Sequence, residues 1–233
     1  MKAMILAAGL GTRLRPLTDD RPKALVEVAG RTLLEICLER LRGFGVSEVI
    51  VNTHHFADMV QTYLEAHGNF GTRIEISREE TLLDTGGGLK QAAWFFGDDE
   101  PFLVHNVDVM SSIDLGAMVR FHRKRGALAT LAVQARKSSR YLLFDEDGLL
   151  CGRETTLVRD CGETTALAFA GIHVVSPRIF SEMTETGAFS IIDAYLRLAK
   201  AGERIVAFRA DGSAWRDLGR PESIAAAELE MGS

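Results

Sequence analysis

The sequence predicts an α/β fold in which a mainly parallel sheet is covered by helices on both faces. Two observations carry this prediction. Strand and helix patterns alternate along residues 4–125, an order that is typical of parallel sheets. After Gly126 the strand patterns follow one another closely, with turn signals such as Asp147-Gly148 between them, and this spacing favours antiparallel pairing.

The first half of the chain predicts four strands and four helices in alternation. The predicted strands are residues 4–8, 48–52, 73–77 and 101–105, and the predicted helices are residues 33–41, 57–66, 88–95 and 115–125. Apolar residues at helical spacing, Leu34, Leu38 and Leu41, support the first helix, and Gly126 ends the last one. In such sheets ligands bind beyond the carboxyl ends of the strands, so we expect the functional site at that edge.

The second half predicts a smaller antiparallel region and two further helices. The predicted strands are residues 128–134, 141–144, 149–152, 167–175 and 204–208, and the predicted helices are residues 190–198 and 221–230. Ser190 suits a helix N-cap and Pro221 suits a first helical turn. We find no linker or internal repeat, so we expect one domain with two halves, about 1–126 and about 127–233.

Composition excludes several classes of protein. The 233 residues carry a net charge of −5, which argues against a general nucleic-acid binder. No apolar run reaches the ~18 residues of a membrane span. The chain opens directly into a strand pattern rather than a leader, so we expect a cytoplasmic protein. The three cysteines are odd in number and include no Cys-x-x-Cys motif, so we expect neither a disulfide framework nor structural zinc, with Cys37 as a core residue.

The most informative segment is a glycine-rich turn that follows the first strand and is followed by basic residues. Gly9 and Gly11 leave backbone N–H groups open to phosphate oxygens, and Arg13 and Lys23 supply positive charge. A dinucleotide fingerprint would need a third glycine where Leu14 stands, and the Walker pattern is absent. Taken alone, the two glycines fit an ordinary turn equally well.

The whole pattern, L-A-A-G-x-G-T-R-L followed by P-K, resembles the sugar-phosphate nucleotidyltransferases. These enzymes join a sugar 1-phosphate to a nucleoside triphosphate and release pyrophosphate. The resemblance implies a Rossmann-like (GT-A-like) three-layer α/β/α fold, with a mostly parallel mixed sheet and a small antiparallel region on the sugar side. It also implies that the first half binds the nucleotide through Leu6, Ala8, Gly9, Gly11, Thr12, Arg13 and Lys23.

Two aspartates from distant segments are candidate metal ligands. Asp108 directly follows the strand at 101–105, and Asp217 lies in a Trp-Arg-Asp-Leu-Gly segment. Either residue alone fits a surface loop, but two converging carboxylates suit Mg²⁺, which prefers oxygen ligands. The family holds its metal with aspartates in matching segments. Val107 departs from that pattern, because the family places glycine before the first aspartate.

The segment Leu-Asp-Thr-Gly-Gly-Gly-Leu at 83–89 is the candidate base-binding element. Consecutive glycines, among them Gly86 and Gly87, leave room for a flat ring against the backbone, although a flexible loop explains them equally well. In the family a similar segment packs against the nucleotide base. A polar residue slightly upstream reads the base edge, and Glu79 is the candidate here. Uracil and guanine both offer an N–H group to a carboxylate, so UTP and GTP both remain open.

The sugar side is less clearly marked. The segment around Gly171 resembles the strand on which the family rests its sugar, although the glycine fits a β-bulge equally well. The Glu-Lys-Pro segment that holds the sugar phosphate in many relatives is absent. Asp108, Arg140 and Glu154, in Arg153-Glu154-Thr155, are the other sugar-binding candidates. The chain most resembles compact uridylyltransferases that act on N-acetylmuramate 1-phosphate, and guanylyltransferases for mannose or heptose 1-phosphate are the alternative.

The expected reaction needs charge neutralisation rather than a deprotonating base, because the sugar phosphate is already an anionic nucleophile. We expect Arg13 to hold the leaving pyrophosphate portion, Lys23 to face the α-phosphate, and Asp108 to hold Mg²⁺ together with Asp217.

A non-catalytic nucleotide-sugar-binding homologue is the second interpretation of the sequence. A Rossmann oxidoreductase is disfavoured by Leu14. The expected partners are a nucleoside triphosphate, UTP or GTP, and a sugar 1-phosphate, with neither nucleic acid nor membrane.

Overall fold

The structure is a computed structural model that describes residues 1–154 and 156–231. These residues form strands β1 (Lys2–Leu6), β2 (Glu27–Val28), β3 (Arg31–Thr32), β4 (Glu48–Thr53), β5 (Arg73–Arg78), β6 (Phe102–Asn106), β7 (Val109–Ser111), β8 (Ala129–Gln134), β9 (Tyr141–Phe144), β10 (Leu150–Arg153), β11 (Thr156–Leu157), β12 (Thr165–Val175), β13 (Ile205–Arg209) and β14 (Trp215–Asp217). The helices are α1 (Leu33–Gly43), α2 (Ala57–Ala66), α3 (Asp84–Gln91), α4 (Leu115–Arg125), α5 (Ile179–Glu182), α6 (Ile191–Lys200) and α7 (Pro221–Met231). Almost all of the predicted elements are therefore present, with ends that differ by a few residues.

A mixed sheet runs through both halves of the chain. Its main path is β11-β10-β9-β12-β6-β1-β4-β5, and β8 and β13 extend it beside β12. The strands β6, β1, β4 and β5 are mutually parallel, as predicted for the first half. The pairs of β12 with β6, β8 and β9 are antiparallel, and β13 returns parallel to β8. The pairing of β12 with β6 joins the two halves in one sheet.

The register of the parallel strands aligns their carboxyl ends. Leu6 at the end of β1 lies beside Asn52 of β4 on one side and Asn106 of β6 on the other. The loops that follow β1 and β6 therefore start at the same edge, and these loops carry the glycine-rich turn and Asp108.

Helices cover both faces of the sheet. Successive residues of β1 point to opposite sides, so Ile5 packs in one core cluster and Met4 in the other. The Ile5 side contains apolar residues of α1, α4 and α7, among them Leu38 and Ile224. The Met4 side contains residues of α3 and α6, among them Tyr195. The three-layer α/β/α arrangement is therefore present.

Helix α3 corrects the predicted position of the consecutive glycines. The prediction placed Gly86 and Gly87 before a helix at residues 88–95, but the helix begins at Asp84, and the glycines lie inside it. The backbone N–H of Gly86 donates to the carbonyl of Phe189 at 2.9 Å. A Cβ atom on Gly86 would overlap the ring of Phe189, and one on Gly87 would overlap the carbonyl of Gly187. The space expected for a base is thus filled by the segment before α6.

The cysteines correct a second prediction. Cys151 in β10 is bonded to Cys161, whose Cα atom lies 6.1 Å away, whereas we expected no disulfide. The chain reverses direction after β10, and β11 pairs antiparallel with it. The N–H of Val158, just after β11, donates to the carbonyl of Cys151 at 2.8 Å, so the chain that leads to Cys161 runs beside β10. Cys37 is buried in α1, as predicted. No helix among the described residues is long and apolar enough to cross a membrane.

Candidate active site

The glycine-rich turn is held in place by Asn52 of β4 and by Thr18 of the loop that follows. The N–H of Ala7 donates to the side-chain oxygen of Asn52 at 2.7 Å, which fixes the start of the turn at the sheet edge. Gly11 has φ +64°, and a Cβ atom there would lie 2.9 Å from Cγ2 of Thr18. The carbonyl of Gly11 accepts a hydrogen bond from the Thr18 hydroxyl at 2.9 Å. Leu14 is fully buried, so a core side chain stands where a dinucleotide fold would need glycine.

Two ion pairs, each between a basic and an acidic side chain, lie just beyond this turn. The ammonium group of Lys23 donates to Oδ2 of Asp108 at 2.8 Å, and both side chains are largely buried. Nη1 of Arg13 lies 3.7 Å from Oδ2 of Asp217. The structure therefore brings together the four charged residues that the sequence predicts.

A short ribbon between β7 and β14 places the second aspartate beside the first. Asp217 pairs with Val109, the residue after Asp108. The N–H of Leu218 donates to the carbonyl of Asp108 at 2.8 Å, and the N–H of Gly219 donates to Oδ1 of Asp217 at 2.8 Å. Neither strand of the ribbon was predicted, because three residues are too few to show a periodicity.

The two carboxylates converge on one point beside Gly219. A Cβ atom on this glycine would lie 2.7 Å from Oδ1 of Asp217 and 3.0 Å from Oδ2 of Asp108. Two carboxylates that approach one point from separate segments form an oxygen donor set that fits Mg²⁺. Val107 does not disturb this arrangement, because its side chain is buried in the core and its φ is not positive.

A cavity of about 370 Å³ opens on the β1 side of these charges. It is lined by Leu6, Ala8, Gly9, Arg13, Lys23, Asn52, Glu79, Leu82, Asp84, Thr85, Asn106 and Asp108. Most of the predicted nucleotide-binding residues therefore lie around one space. Gly11 and Thr12 shape the turn rather than line the cavity. Where we expected Gly86 and Gly87, the lining is formed by Leu82, Asp84 and Thr85.

Glu79 does not present a free carboxylate to this cavity, contrary to expectation. It is 2% exposed, and its Oε1 accepts from the side-chain amide of Asn52 at 2.6 Å. Its Oε2 accepts from the N–H of Leu83 at 2.9 Å. The exposed carboxylate of the cavity belongs to Asp84, which has φ +58° at the start of α3. Asp84 was not among the residues predicted from the sequence, although it directly precedes the Thr-Gly-Gly-Gly run.

A second cavity, of about 480 Å³, lies on the β12 side and shares Arg13, Asn106 and Asp108 with the first. Gly171 and Arg140, two of the sugar-binding candidates, line it. Glu154 does not, because it lies in the turn after β10 with φ +56°, and Arg153 lines the cavity in its place. Thr155 is outside the described residues.

Gly171 is both a bulge residue and part of the cavity wall. The register between β12 and β8 shifts between Phe169 and His173, and Gly171 within this bulge has φ +74°. A Cβ atom there would lie 2.8 Å from the side-chain amide nitrogen of Asn106. Glycine therefore allows β12 to approach the end of β6.

Arginines dominate the polar lining of the second cavity. They are Arg13, Arg136, Arg140, Arg153 and Arg220. The guanidinium of Arg136 lies 3.5 Å from the ring centroid of Trp215 and donates to the carbonyl of Phe169 at 2.8 Å. Burial lowers the pKa of Arg136. Arg136 and Arg220 were not predicted from the sequence. Only Arg220 could have been suspected, because it lies three residues after the candidate metal ligand Asp217.

The geometry can bring two anionic ligands together. Each cavity opens onto the same charged cluster, where Lys23 and Arg13 offer positive charge and the aspartates offer a metal-binding donor set. Groups held in the two cavities would meet beside Asp108.

Comparisons with known proteins agree with this description. A family model described as nucleotidyl transferase matches residues 2–233. N-acetylmuramate alpha-1-phosphate uridylyltransferase of Caulobacter vibrioides is 38% identical over an alignment of 239 positions, which covers 98% of this chain and 96% of that protein. UTP–glucose-1-phosphate uridylyltransferase of Synechocystis is 31% identical, over 94% of this chain and 60% of that protein. The mannose-1-phosphate guanylyltransferase catalytic subunit beta of Dictyostelium discoideum is 30% identical, over 96% of this chain and 62% of that protein. The chain thus spans about three fifths of these last two relatives.

Solved structures show the same fold. HddC from Yersinia pseudotuberculosis complexed with GMP-PN superposes with a TM-score of 0.81 at 22% identity, over 99% of both chains. UDP-glucose pyrophosphorylase complexed with UDP-glucose also gives a TM-score of 0.81, at 20% identity, over 99% of this chain and 98% of that one. The predicted fold class is confirmed.

Proposed function

This chain belongs to the nucleotidyl transferase family, and we propose that it joins UTP to N-acetylmuramate 1-phosphate or a related amino sugar phosphate, with release of pyrophosphate. The broader activity, that of a sugar-1-phosphate nucleotidyltransferase, follows from relatives that match almost the whole chain. The observation that carries the proposal is the meeting of two cavities at Arg13 and Asp108, beside the ammonium group of Lys23.

The proposed reaction is a displacement at the α-phosphorus of the triphosphate. An oxygen of the sugar phosphate forms the new bond, the bond between the α- and β-phosphates breaks, and pyrophosphate leaves with the electron pair. No protein base is required, because the nucleophile is already ionised. Lys23 lies where the cavities meet and offsets negative charge at the α-phosphate. Arg13 borders both cavities and holds the leaving pyrophosphate.

Magnesium is part of the proposal, and Asp108 and Asp217 are the residues that would hold it. Bound there, the ion would neutralise charge on phosphate oxygens. The two carboxylates converge beside Gly219, which supports the assignment. We expect pyrophosphate release to cease when EDTA removes divalent ions and to return when Mg²⁺ is added.

The choice of UTP rests on the Caulobacter relative, which this chain matches over nearly its full length. Within the cavity, Asp84 offers an exposed carboxylate that can accept from the N3–H of uracil. Guanine offers comparable N–H donors, and the Dictyostelium relative is a guanylyltransferase. GTP with mannose or heptose 1-phosphate is therefore the second candidate. Because nucleoside triphosphates are cytoplasmic metabolites, we place the reaction in the cytoplasm.

A substrate matrix tests the proposal. The four common triphosphates are combined with N-acetylmuramate, N-acetylglucosamine, glucose, mannose and heptose 1-phosphates, and pyrophosphate release is followed with Mg²⁺. We expect the highest kcat/KM for UTP with N-acetylmuramate 1-phosphate. A maximum for GTP with mannose or heptose 1-phosphate would replace our proposal with the second candidate. Binding of nucleotide without any turnover would identify a non-catalytic homologue.

A further inference from the structure

The sugar-side cavity carries more positive charge than one sugar phosphate needs. Five arginines line it, against the carboxylates of Asp108 and Asp217. Asp108 already accepts from Lys23, and Asp217 lies near Arg13. The remaining four arginines are Arg136, Arg140, Arg153 and Arg220, and among the described residues only Arg153 of these has a carboxylate partner, Asp193 at 3.0 Å. The cavity therefore has cationic groups left over for its ligand.

The unpaired arginines lie in different parts of the cavity. Arg220 directly follows Gly219, so it belongs to the end where the two carboxylates converge. Arg136 is stacked on Trp215. Arg140 immediately precedes β9, and β12 lies between β9 and β6. Two strand spacings, ~10 Å, therefore separate the backbone at Arg140 from the end of β6.

The reaction assigns the phosphate of the sugar to one end of the cavity. This phosphate must reach the α-phosphate of the nucleotide, and the two cavities meet only around Arg13, Asn106 and Asp108. Arg220 can assist there. Arg140 lines the cavity and is exposed, and its backbone lies two strands away from that junction. A second anionic group on the ligand would give Arg140 a charged partner away from the junction.

We propose that Arg140 forms a second anion subsite in the sugar cavity and binds a carboxylate carried by the sugar. This inference rests on the proposed function and makes Arg140 a residue that determines sugar specificity. The planar guanidinium suits a carboxylate, because it can donate two parallel hydrogen bonds. N-acetylmuramate carries such a carboxylate on its lactyl ether, and uronic acids carry one at C6. N-acetylglucosamine has the same ring as N-acetylmuramate without the lactyl group.

The test compares matched sugars in matched variants. kcat/KM is measured for N-acetylmuramate 1-phosphate, N-acetylglucosamine 1-phosphate and glucuronate 1-phosphate with the wild type, Arg140→Ala, Arg140→Lys and Arg220→Ala. We expect Arg140→Ala to lower kcat/KM about 10- to 100-fold for the carboxylate sugar and less than about twofold for N-acetylglucosamine 1-phosphate. Arg140→Lys should recover part of the loss. Arg220→Ala should lower kcat/KM for all sugars alike, and Arg120→Ala, on the outer face of α4, should change none.

The outcomes separate the subsite from the proposed function. An equal loss for carboxylate and neutral sugars in Arg140→Ala, in a variant with an unchanged melting temperature, would overturn the subsite. A wild-type preference for glucuronate 1-phosphate that is lost in Arg140→Ala would support it with the carboxylate at C6. If no sugar phosphate is turned over, the proposed function fails. Calorimetry with unphosphorylated N-acetylmuramate then decides the subsite, since binding to the wild type and not to Arg140→Ala supports it and equal or absent binding overturns it.

Discussion

Lys23 donates a hydrogen bond to Asp108 across 2.8 Å, and the pair joins segments that lie 85 residues apart in the chain. Both side chains are largely shielded from water, which strengthens the interaction between their charges. The pair holds the ammonium group at the junction of the two cavities. A phosphate that enters this junction can therefore replace the carboxylate as the partner of Lys23 with little rearrangement.

Replacement of Lys23 by alanine should reduce turnover far more than triphosphate affinity. In the proposed reaction Lys23 faces the phosphate at which charge develops, whereas other cavity residues would hold the remaining parts of the nucleotide. We expect kcat to fall by about 10²–10³. Steady-state kinetics and a binding isotherm for the triphosphate, measured on the same preparation, provide the comparison. Lys124→Ala, an exposed substitution in α4, is the matched control, and normal turnover of Lys23→Ala would refute the role.

Gly219→Ala should impair the proposed metal site at Asp108 and Asp217 without a change at any charged residue. The added Cβ atom would lie 2.7 Å from Nη2 of Arg13 and from Oδ1 of Asp217, and 3.0 Å from Oδ2 of Asp108, so these groups must move. We expect at least a tenfold higher Mg²⁺ concentration for half-maximal activity. Gly97→Ala has open space around its Cβ position and should behave like the wild type. Identical Mg²⁺ titrations of the two variants would show that Gly219 is not close to the ion.

Much of the cluster formed by Arg13, Lys23 and Asp108 could be predicted from the sequence, because ligand sites of parallel sheets lie at the carboxyl ends of the strands. Strands β1 and β6 are apolar runs of ordinary length, and each is followed by the residues that matter, the glycine-rich turn and Asp108. Parallel strands bring their carboxyl ends to one edge, so the proximity of these residues follows once the strands are recognised. Asp217 was identified through the family resemblance, since the ribbon of β7 and β14 that positions it has no recognisable pattern.

The predictions from sequence were wrong or incomplete where contacts between distant residues outweigh the structural preference of the local sequence. Three glycines disfavour a helix, yet α3 begins at Asp84, because Gly86 and Gly87 pack closely against the segment before α6. The environment of Glu79 depends on Asn52, which lies in another strand. The arginines of the sugar cavity come from separate loops and strands, and a single arginine in a loop has no periodicity to mark it.

The bond between Cys151 and Cys161 should be detectable and should stabilise the fold. When the protein is purified under oxidising conditions, peptide mapping without reductant is expected to recover the two residues joined. Because the bond closes a loop with a sequence separation of 10, Cys161→Ser should lower the free energy of unfolding by about 2–3 kcal/mol relative to the oxidised protein. Burial raises the pKa of the Cys37 thiol to about 12, so Cys37 should not exchange with the pair. Recovery of both residues as free thiols under oxidising conditions would contradict the structure.

Buried histidines should make the protein less stable in mild acid. Burial lowers the pKa of His105 and His122 to about 4 and that of His173 to about 3, against 6.5 for an ordinary histidine. Between pH 6.5 and about 4 the unfolded chain therefore binds protons that the native state does not. The contribution of each histidine to the free energy of unfolding is complete above pH 6.5. It falls by about 1.4 kcal/mol per pH unit as the pH drops from 6.5 to about 4.

His122 offers the clearest test of this pH dependence, because glutamine can keep polar contacts to its partners. Its Nδ1 lies 2.9 Å from the hydroxyl of Thr130, and its Nε2 lies 3.0 Å from that of Ser176. The free energy of unfolding is measured in urea at several values between pH 7.5 and 4.5. For His122→Gln we expect its slope with pH to be smaller by about 1.4 kcal/mol per pH unit below pH 6.5. Equal slopes in His122→Gln and the wild type would mean that His122 binds its proton as readily in the native state as in the unfolded chain.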